Sequence, residues 1–474
     1  MKQAVNPFLP LNEYIPDGEP HVFGDRVYLF GSHDRAGGDR YCMNDYVCYS
    51  ADLHNLADWQ YEGVIYRKDQ DPGNPDGSHC LWAPDVVRGT DGRYYLYYCM
   101  DVLPEIGVAV CDSPAGAYCY LGHVHYPDGV ALGRREGDFI QFDPAVFIDD
   151  DQSVYLYSGN ASREKGDPVR KNSQVMKLAP DMLTITEPPK PLIPTMQNSE
   201  GTDFEGHEFF EASSLRKING RYYFIYSDVP DYALCYAVSS YPDRDFKFGG
   251  RLISLGDTGY RGRKRGEALC HYGNIHGSLE WINEQWYVFY HRQTNRTQFS
   301  RQACAEKIEI LPDGSIPQVE MTSCGLNEGA LAGAGEYSAG IACNLSGRNG
   351  TSLSVLPQME DRYPYLTQEG EDGDPRAFLY IKNITDGSRA GYKYFSFTGR
   401  TQISMTVRGK AKGRFLILSD EGEKAVGEIP VDLTSGEWTA VSGSVNGLDG
   451  TCPLFLVYMG DGCLDFRSFE LHVT

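Results

Sequence analysis

The sequence predicts an all-β protein: a five-bladed β-propeller followed by a β-sandwich of jelly-roll type. Three observations predict it. The 474 residues include 52 glycines, 26 prolines and 33 tyrosines, a composition that favours many short strands, because Gly and Pro punctuate turns while aromatic side chains suit pleated surfaces. A turn followed by an aromatic strand recurs five times at nearly even spacing. Past residue 350 the repeat gives way to a different series of alternating strands.

The five copies are GDRVYLFGS (24–32), DGRYYLYYC (91–99), DQSVYLYSG (151–159), NGRYYFIYS (219–227) and NEQWYVFYH (283–291). Aligning Tyr28, Tyr95, Tyr155, Tyr223 and Tyr287 leaves intervals of 67, 60, 68 and 64 residues. Before each copy lies a second short strand: PHVF (20–23), PDVV (84–87), PAVFI (144–148), ASSLRKI (212–218) and GSLEWI (277–282). Each copy therefore opens with a hairpin and has room for two more strands. Five four-stranded sheets set radially close into a ring that protects their edges. A single sandwich gives no reason for five evenly spaced copies.

Counting back from the aligned tyrosines, the start of the first strand carries Glu19, Asp85, Asp143, Glu211 and His276, at offsets of 9, 10, 12, 12 and 11. Innermost propeller strands line the axis, so these groups are expected to converge at one end of the channel. Carboxylates crowded there repel one another and raise at least one pKa. Two carboxyl groups, one protonated and one ionised, are the equipment of glycoside hydrolysis. The sequence holds no G-x-S-x-G elbow, H-E-x-x-H, P-loop or dinucleotide fingerprint.

GEPHVFGDRVYLFGS, LWAPDVV, FDPAVFIDDDQSVYLYSGN, FFEASSLRKINGRYYFIYS and NIHGSLEWINEQWYVFYHR, taken in order over residues 5–320, together resemble glycoside hydrolase family 43. That resemblance implies an inverting enzyme with an Asp base in the first blade, a pKa-modulating Asp in the third and a Glu acid in the fourth. Family members mostly release arabinofuranosyl or xylosyl units from plant polysaccharides or oligosaccharides. Carried over, Glu211 is the general acid and Asp143 the residue that orients it. The base departs from the pattern: the expected Asp-Pro stands as Glu19-Pro20. Glu19 is the expected base and Asp17 the alternative, two residues earlier and on the same face if the strand extends that far. Glu13 falls outside the repeat register.

Asp85 is expected to bind sugar hydroxyls, Trp82 or Phe142 to supply an apolar platform, and Arg292 to pair with a catalytic carboxylate. Core packing is the competing reading for the two aromatics, and a surface position for Arg292. His276 resembles the family's axial histidine, often associated with a hydrated calcium ion whose role is electrostatic; the chemistry itself requires no cofactor. Glu205, His207 and Glu208 in GTDFEGHEFF read as a loop shaping the pocket, and Glu208 lacks the offset of 12 shared by Glu211 and Asp143.

Residues 1–320 thus read as the catalytic propeller, 321–350 as a Gly-rich crossover (GLNEGALAGAGEYSAG), and 351–474 as the second domain. Its expected strands are YKYFSF (392–397), QISMTV (402–407), RFLIL (414–418), WTAVSG (438–443), PLFLVYM (453–459) and LDFRSFEL (464–471). Their order resembles a carbohydrate-binding module of family 6 type; Tyr392 and Trp438 read equally as sugar platforms or as core.

A net charge of −22 without a long basic tract argues against nucleic acid and anionic membrane as partners. Residues 1–23 lack an apolar signal core, so a soluble cytoplasmic protein is expected. Thirteen scattered cysteines are expected to be reduced, with Cys42 and Cys48 the one candidate pair. The expected function is inverting, exo-acting hydrolysis of short oligosaccharides by an α-L-arabinofuranosidase or β-xylosidase. A noncatalytic sugar-binding propeller, its turnover lost with the altered base, and a furanosidase for another sugar such as galactofuranose are the alternatives.

Overall fold

The computed structural model describes every residue except Met1, Pro168, Val169, Pro357, Glu360, Asp361, Glu423 and Thr474. Five antiparallel sheets follow one another along the first two thirds of the chain. Blade one holds β1 (Glu19–Phe23), β2 (Arg26–Phe30), β3 (Tyr46–Asp52) and β4 (Gln60–Tyr66). Blade two holds β5 (Leu81–Arg88), β6 (Tyr94–Met100), β7 (Ile106–Cys111) and β8 (Cys119–His123). Blade three holds β9 (Ala145–Ile148), β10 (Val154–Ala161), β11 (Lys171–Leu178) and β12 (Ile185–Pro191). Blade four holds β13 (Phe209–Ile218), β14 (Arg221–Asp228), β15 (Ala233–Ser239) and β16 (Lys247–Ser254). Blade five holds β17 (Ser278–Ile282), β18 (Gln285–Gln293) and β19 (Arg301–Ile308), one strand fewer than the repeat predicts.

The aromatic strands are buried on both faces, and each face belongs to a different neighbour. In β6, Tyr95 and Tyr97 pack toward blade three while Tyr94, Leu96 and Tyr98 pack toward blade one. In β14, Tyr222, Phe224 and Tyr226 face blade three while Tyr223 and Ile225 face blade five. A strand with side chains alternating between two apolar environments reads as a continuous apolar run, which explains YYLYYC and RYYFIY. The buried hydroxyls find acceptors: Tyr97 donates to the Met182 carbonyl at 2.6 Å and Tyr98 to Asp71 at 2.6 Å.

Ring closure is made by the N-terminal segment at the outer edge of blade five. Phe8 N donates to the Ala303 carbonyl, and the Asn6 amide pairs with both N and O of Ala305 at 3.0 and 2.8 Å. Phe8 and Leu9 join Val27 and Leu29 of blade one and Phe289 of blade five in one core. This segment covers the edge where a fourth strand was expected, because after β19 the chain leaves for the second domain.

That domain comprises β20 (Leu331–Ala332), β21 (Gly335–Ser338), β22 (Asn344–Ser346), β23 (Tyr365–Glu369), β24 (Phe378–Ile384), β25 (Arg389–Phe397), β26 (Thr401–Leu418), β27 (Ala425–Leu433), β28 (Thr439–Val445) and β29 (Gly450–Val473), joined in one hydrogen-bonded network around a shared apolar core. Two sequence expectations are corrected. Residues 321–350 are not a bare crossover, since β20, β21 and β22 fall within them and pair with β25 and β29. QISMTV and RFLIL merge into β26, and PLFLVYM and LDFRSFEL into β29, because the two long strands stay paired through their glycines. Gly462 has φ +86, and a Cβ there would meet the Lys410 carbonyl at 2.1 Å; only glycine permits this approach.

Among the described residues no disulfide is formed, and Cys42 and Cys48 do not pair with each other. Among the described residues no helix is long and apolar enough to cross a membrane.

Candidate active site

The inner strands and the residues just before them bring Asp17, Ala83, Asp143, Glu211 and His276, from the five blades in turn, to a single pocket of about 470 Å³. Contacts between blades show that they share one axis. His276 Nδ1 lies 3.9 Å from Asp17 Oδ1 and 3.5 Å from Asp143 Oδ2, and Ala212 N donates to Asp143 Oδ2 at 3.0 Å. Asp17 and Asp143 both sit in the left-handed region, with φ 56 and 46, each two residues before its inner strand begins. Ala212 (φ 70) follows Glu211 where β13 slips register against β14. Such conformations and bulges re-aim side chains at strand ends and cluster at functional sites.

The three carboxyl groups are set apart electrostatically. Burial alone would raise the Asp17 pKa, but the charge of Arg301, then the hydrogen bond and charge of His291, hold it well below the usual carboxylate range. Arg301 forks onto Asp34 through Nε and Nη2 and places Nη1 2.8 Å from Asp17 Oδ1. Asp17 N donates to His291 Nδ1 at 3.3 Å, and His291 Nε2 faces the Asn274 carbonyl at 2.9 Å.

Glu211 moves the other way. Burial pushes its pKa up to about 7, against the charges of Arg170 and Arg163. Asn160 Nδ2 donates to Glu211 Oε2 at 3.0 Å and is itself held by Arg170. Burial, then the charge of Glu211, raises Asp143 well above its ordinary value. An ionised and a protonated carboxyl therefore stand in one cavity, the division that acid–base chemistry needs.

Three expected site residues lie elsewhere. Glu19 is buried one level deeper in the channel, where its Oε2 accepts from Arg216 Nη2 at 3.0 Å; it does not line the pocket. Asp85 shares that level, with Oδ1 2.7 Å from His21 Nε2 and Oδ2 accepting from Val146 N at 2.8 Å, so its lone pairs are engaged. Ser214 and Ser278 complete the level with their hydroxyls 2.8 Å apart. Arg216 ties this level together across blades, donating also to the Pro20 and Leu279 carbonyls. Arg292 is buried between the domains and donates to Gln302 and to the Gly340 and Ala342 carbonyls; the guanidinium on a pocket carboxylate is that of Arg301.

Trp82 and Phe142 do line the pocket, in edge contact at 5.2 Å, and Tyr41 extends the wall at 5.7 Å from Trp82. Tyr41, Asp34, Arg163, Arg170, Asn274 and Gln298 come from loops, Asn160 from β10 and Phe210 from β13 beside Glu211. Glu208 accepts from Ser199 Oγ and Gly206 N and lies outside the pocket.

Burial lowers the His276 pKa to about 4, so it offers a neutral ring nitrogen; Asp17 and Asp143 beside it are engaged by Arg301 and Ala212 N, so the further ligands of a calcium ion held there would be water oxygens. The three-donor set at the axis is Glu19, His21 and Asp85, where Arg216 already supplies positive charge.

Residues 6–316 match the model of glycosyl hydrolases family 43. The chain is 50% identical over 473 residues to a xylosidase/arabinosidase of Thermoclostridium stercorarium, covering 99% of both chains. It is 30% identical to xylosidase/arabinosidase 43A of Humicola insolens, over 59% of this chain and 88% of that one. A Bacillus subtilis family 43 arabinoxylan arabinofuranohydrolase, solved with cellotetraose, shares the fold with a TM-score of 0.51 at 22% identity, over 99% of this chain and 97% of that one.

Proposed function

The chain belongs to the glycosyl hydrolases of family 43, and from that membership and the pocket we propose an inverting, exo-acting glycosidase that releases xylosyl or arabinofuranosyl units from oligosaccharide ends. The observation that carries this reading is Asp17 held 2.8 Å from Arg301 Nη1 in the same cavity as the buried Glu211, whose pKa burial raises to about 7. Water bound against Asp17 gives it a proton as the water oxygen bonds to the anomeric carbon. The bond to the leaving oxygen breaks, and Glu211 protonates that oxygen. Asp17 then returns its proton to solvent and Glu211 regains one. Asp143 holds the strand after Glu211 through Ala212 N, and burial with the charge of Glu211 raises its own pKa. No step needs a cofactor, and none runs through calcium.

Tyr41, Trp82 and Phe142 line the pocket and offer apolar faces to the sugar ring. The relatives named for xylose and arabinose support a pentose. The noncatalytic alternative rested on the altered base at Glu19, and Asp17 in the pocket removes that ground. Nitrophenyl xyloside, arabinofuranoside and galactofuranoside, with xylo-oligosaccharides followed by NMR, test the proposal. Pentoside hydrolysis with first-formed product of inverted configuration is expected; sugar binding without turnover across the panel would leave a binding protein.

Arg170 gives a pH prediction. Its charge lowers the Glu211 pKa, so Arg170→Gln is expected to move the alkaline limb of kcat/KM upward by about one pH unit. An unmoved limb would exclude Glu211 as the group titrating there.

For the second domain we propose a β-sandwich of the family 6 module type acting as a brace. Tyr392 is core, its hydroxyl on the Ala339 carbonyl. Trp438 is covered by Arg408 at 4.3 Å and packs edge-on to Tyr380, which leaves neither as a free platform. The unbridged cysteines support a reducing, cytoplasmic location.

A further inference from the structure

We propose that Asp372, in the second domain, is a positioning residue for the propeller pocket: it clamps the loop carrying Asp34 and Tyr41, and through Asp34 sets the Arg301–Asp17 pair. The proposal deepens the hydrolase reading above and rests on it.

The stretch between β2 and β3, residues 31–45, forms no strand, yet it supplies Tyr41 to the pocket and Asp34 to Arg301. Its two ends are pinned by one carboxylate from outside the propeller. Asp372 Oδ1 accepts from Ala36 N at 2.8 Å, and Oδ2 accepts from Asn44 Nδ2 at 3.0 Å. The same Asn44 amide donates to the Asp34 carbonyl at 3.0 Å, so the clamp acts on the residue that forks onto Arg301. On the inner side Ser300 Oγ receives Gly37 N and donates to the Arg35 carbonyl, tying the loop to the residue before Arg301.

Neighbouring residues of the second domain hold the other pocket-bearing segments. Gln368 Oε1 accepts from the Tyr14 hydroxyl at 3.0 Å, three residues before Asp17. Leu366 O and Thr367 Oγ1 bond Asn295 at 2.8 and 2.6 Å, at the start of the loop that leads to Gln298 and Arg301. One edge of the second domain thus touches each segment that builds the Asp17 side of the pocket. Asp372 stands out because both its oxygens serve a single loop.

Removing the clamp loosens Asp34, weakens the hold of Arg301 on Asp17 and lets the Asp17 pKa rise toward its ordinary value. Asp372→Ala is therefore expected to lower kcat/KM by about tenfold and to move the acid limb of the pH profile upward. A brace that merely stabilised the fold would lower the melting temperature and leave that limb in place. Asp372→Asn keeps an acceptor for Ala36 N but sets an amide N–H against the Asn44 amide that must also serve the Asp34 carbonyl, so it should fall between wild type and Asp372→Ala.

Asn44→Asp sets two carboxylates face to face, removes the donor to the Asp34 carbonyl and should reproduce the Asp372→Ala defect, while the double variant Asn44→Asp with Asp372→Asn restores the bond between the two side chains alone and should recover part of it. Folded Asp372→Ala and Asn44→Asp proteins with wild-type kcat/KM and an unshifted acid limb would overturn the proposal. So would a double variant no better than Asn44→Asp alone, and that pair carries the test if Asp372→Ala does not fold. Hydrogen exchange over residues 34–44, expected to quicken in Asp372→Ala, reads the clamp even if wild type hydrolyses nothing on the glycoside panel. That outcome would defeat the hydrolase reading and leave the clamp standing.

Discussion

Asp17→Asn is expected to lower kcat by roughly 10²–10⁴-fold, the range for loss of a general base, while Glu19→Gln stays within about tenfold of wild type. The asymmetry follows from position. Asp17 is the carboxylate that lines the pocket and that Arg301 keeps ionised. The amide substitution keeps an oxygen for Arg301 and removes the group that accepts a proton from water. Glu19 is buried, its pKa raised by burial to about 7 against the charge of Arg216, but it does not line the pocket, so position and not basicity rules it out as the base. A Gln there keeps the acceptor for Arg216 and relieves the cost of a buried carboxylate whose Oε1 has no partner. An external nucleophile separates loss of the base from loss of the fold. With Asp17→Ala, azide and an aryl xyloside, azide nitrogen bonds to the anomeric carbon as the aryl oxygen departs with the Glu211 proton, giving a glycosyl azide of inverted configuration. An active Asp17→Asn beside an inactive Glu19→Gln would restore Glu19 as the base.

The propeller was legible because its repeat is dictated by packing: each second strand must bury both faces between neighbouring blades, and tyrosine does this while its hydroxyl reaches an acceptor. The convergence of acidic residues was legible for the same reason. Which ones reach the pocket was written in the offsets but not resolved by them. Asp17, Asp143, Glu211 and His276 lie 11 or 12 residues before their tyrosines and reach the pocket, whereas Glu19 and Asp85 lie 9 and 10 before theirs and sit one level down. The strand-face argument linking Asp17 to Glu19 failed because β1 begins at Glu19 and Asp17 is left-handed, which breaks the period of two. Arg301 was invisible for a different reason. Its role depends on Asp34, 267 residues away, and on a loop clamped by the second domain, contacts that no local pattern encodes. Arg292 has the same side chain and a nearby position, but its strand face turns it into the domain interface.

Glu211→Gln is expected to abolish hydrolysis of substrates with poor leaving groups, by about 10²–10⁴-fold, and to spare those whose leaving oxygen needs no proton. Wild-type kcat/KM should fall as pH rises through about 7, because Glu211, raised from 4.5 to about 7 by burial, must be protonated to act. No such limb should appear for Glu211→Gln with a dinitrophenyl glycoside. The same shift makes a stability prediction of opposite sense. A carboxyl whose pKa is higher in the folded than in the unfolded chain favours folding below pH 4.5, and that contribution is lost as pH rises through 7. Above pH 7 the wild type carries a buried charge that Gln lacks, so Glu211→Gln should be the more stable protein there, by up to about 3 kcal/mol, with the gap closing toward pH 4.5. Urea unfolding at pH 5 and pH 8.5 reads the difference directly. A variant that lost activity and also lost stability at both values would mark Glu211 as a structural carboxylate. Gain of stability at the higher pH with loss of turnover is the signature of a group held against its solvation for the sake of the proton it delivers.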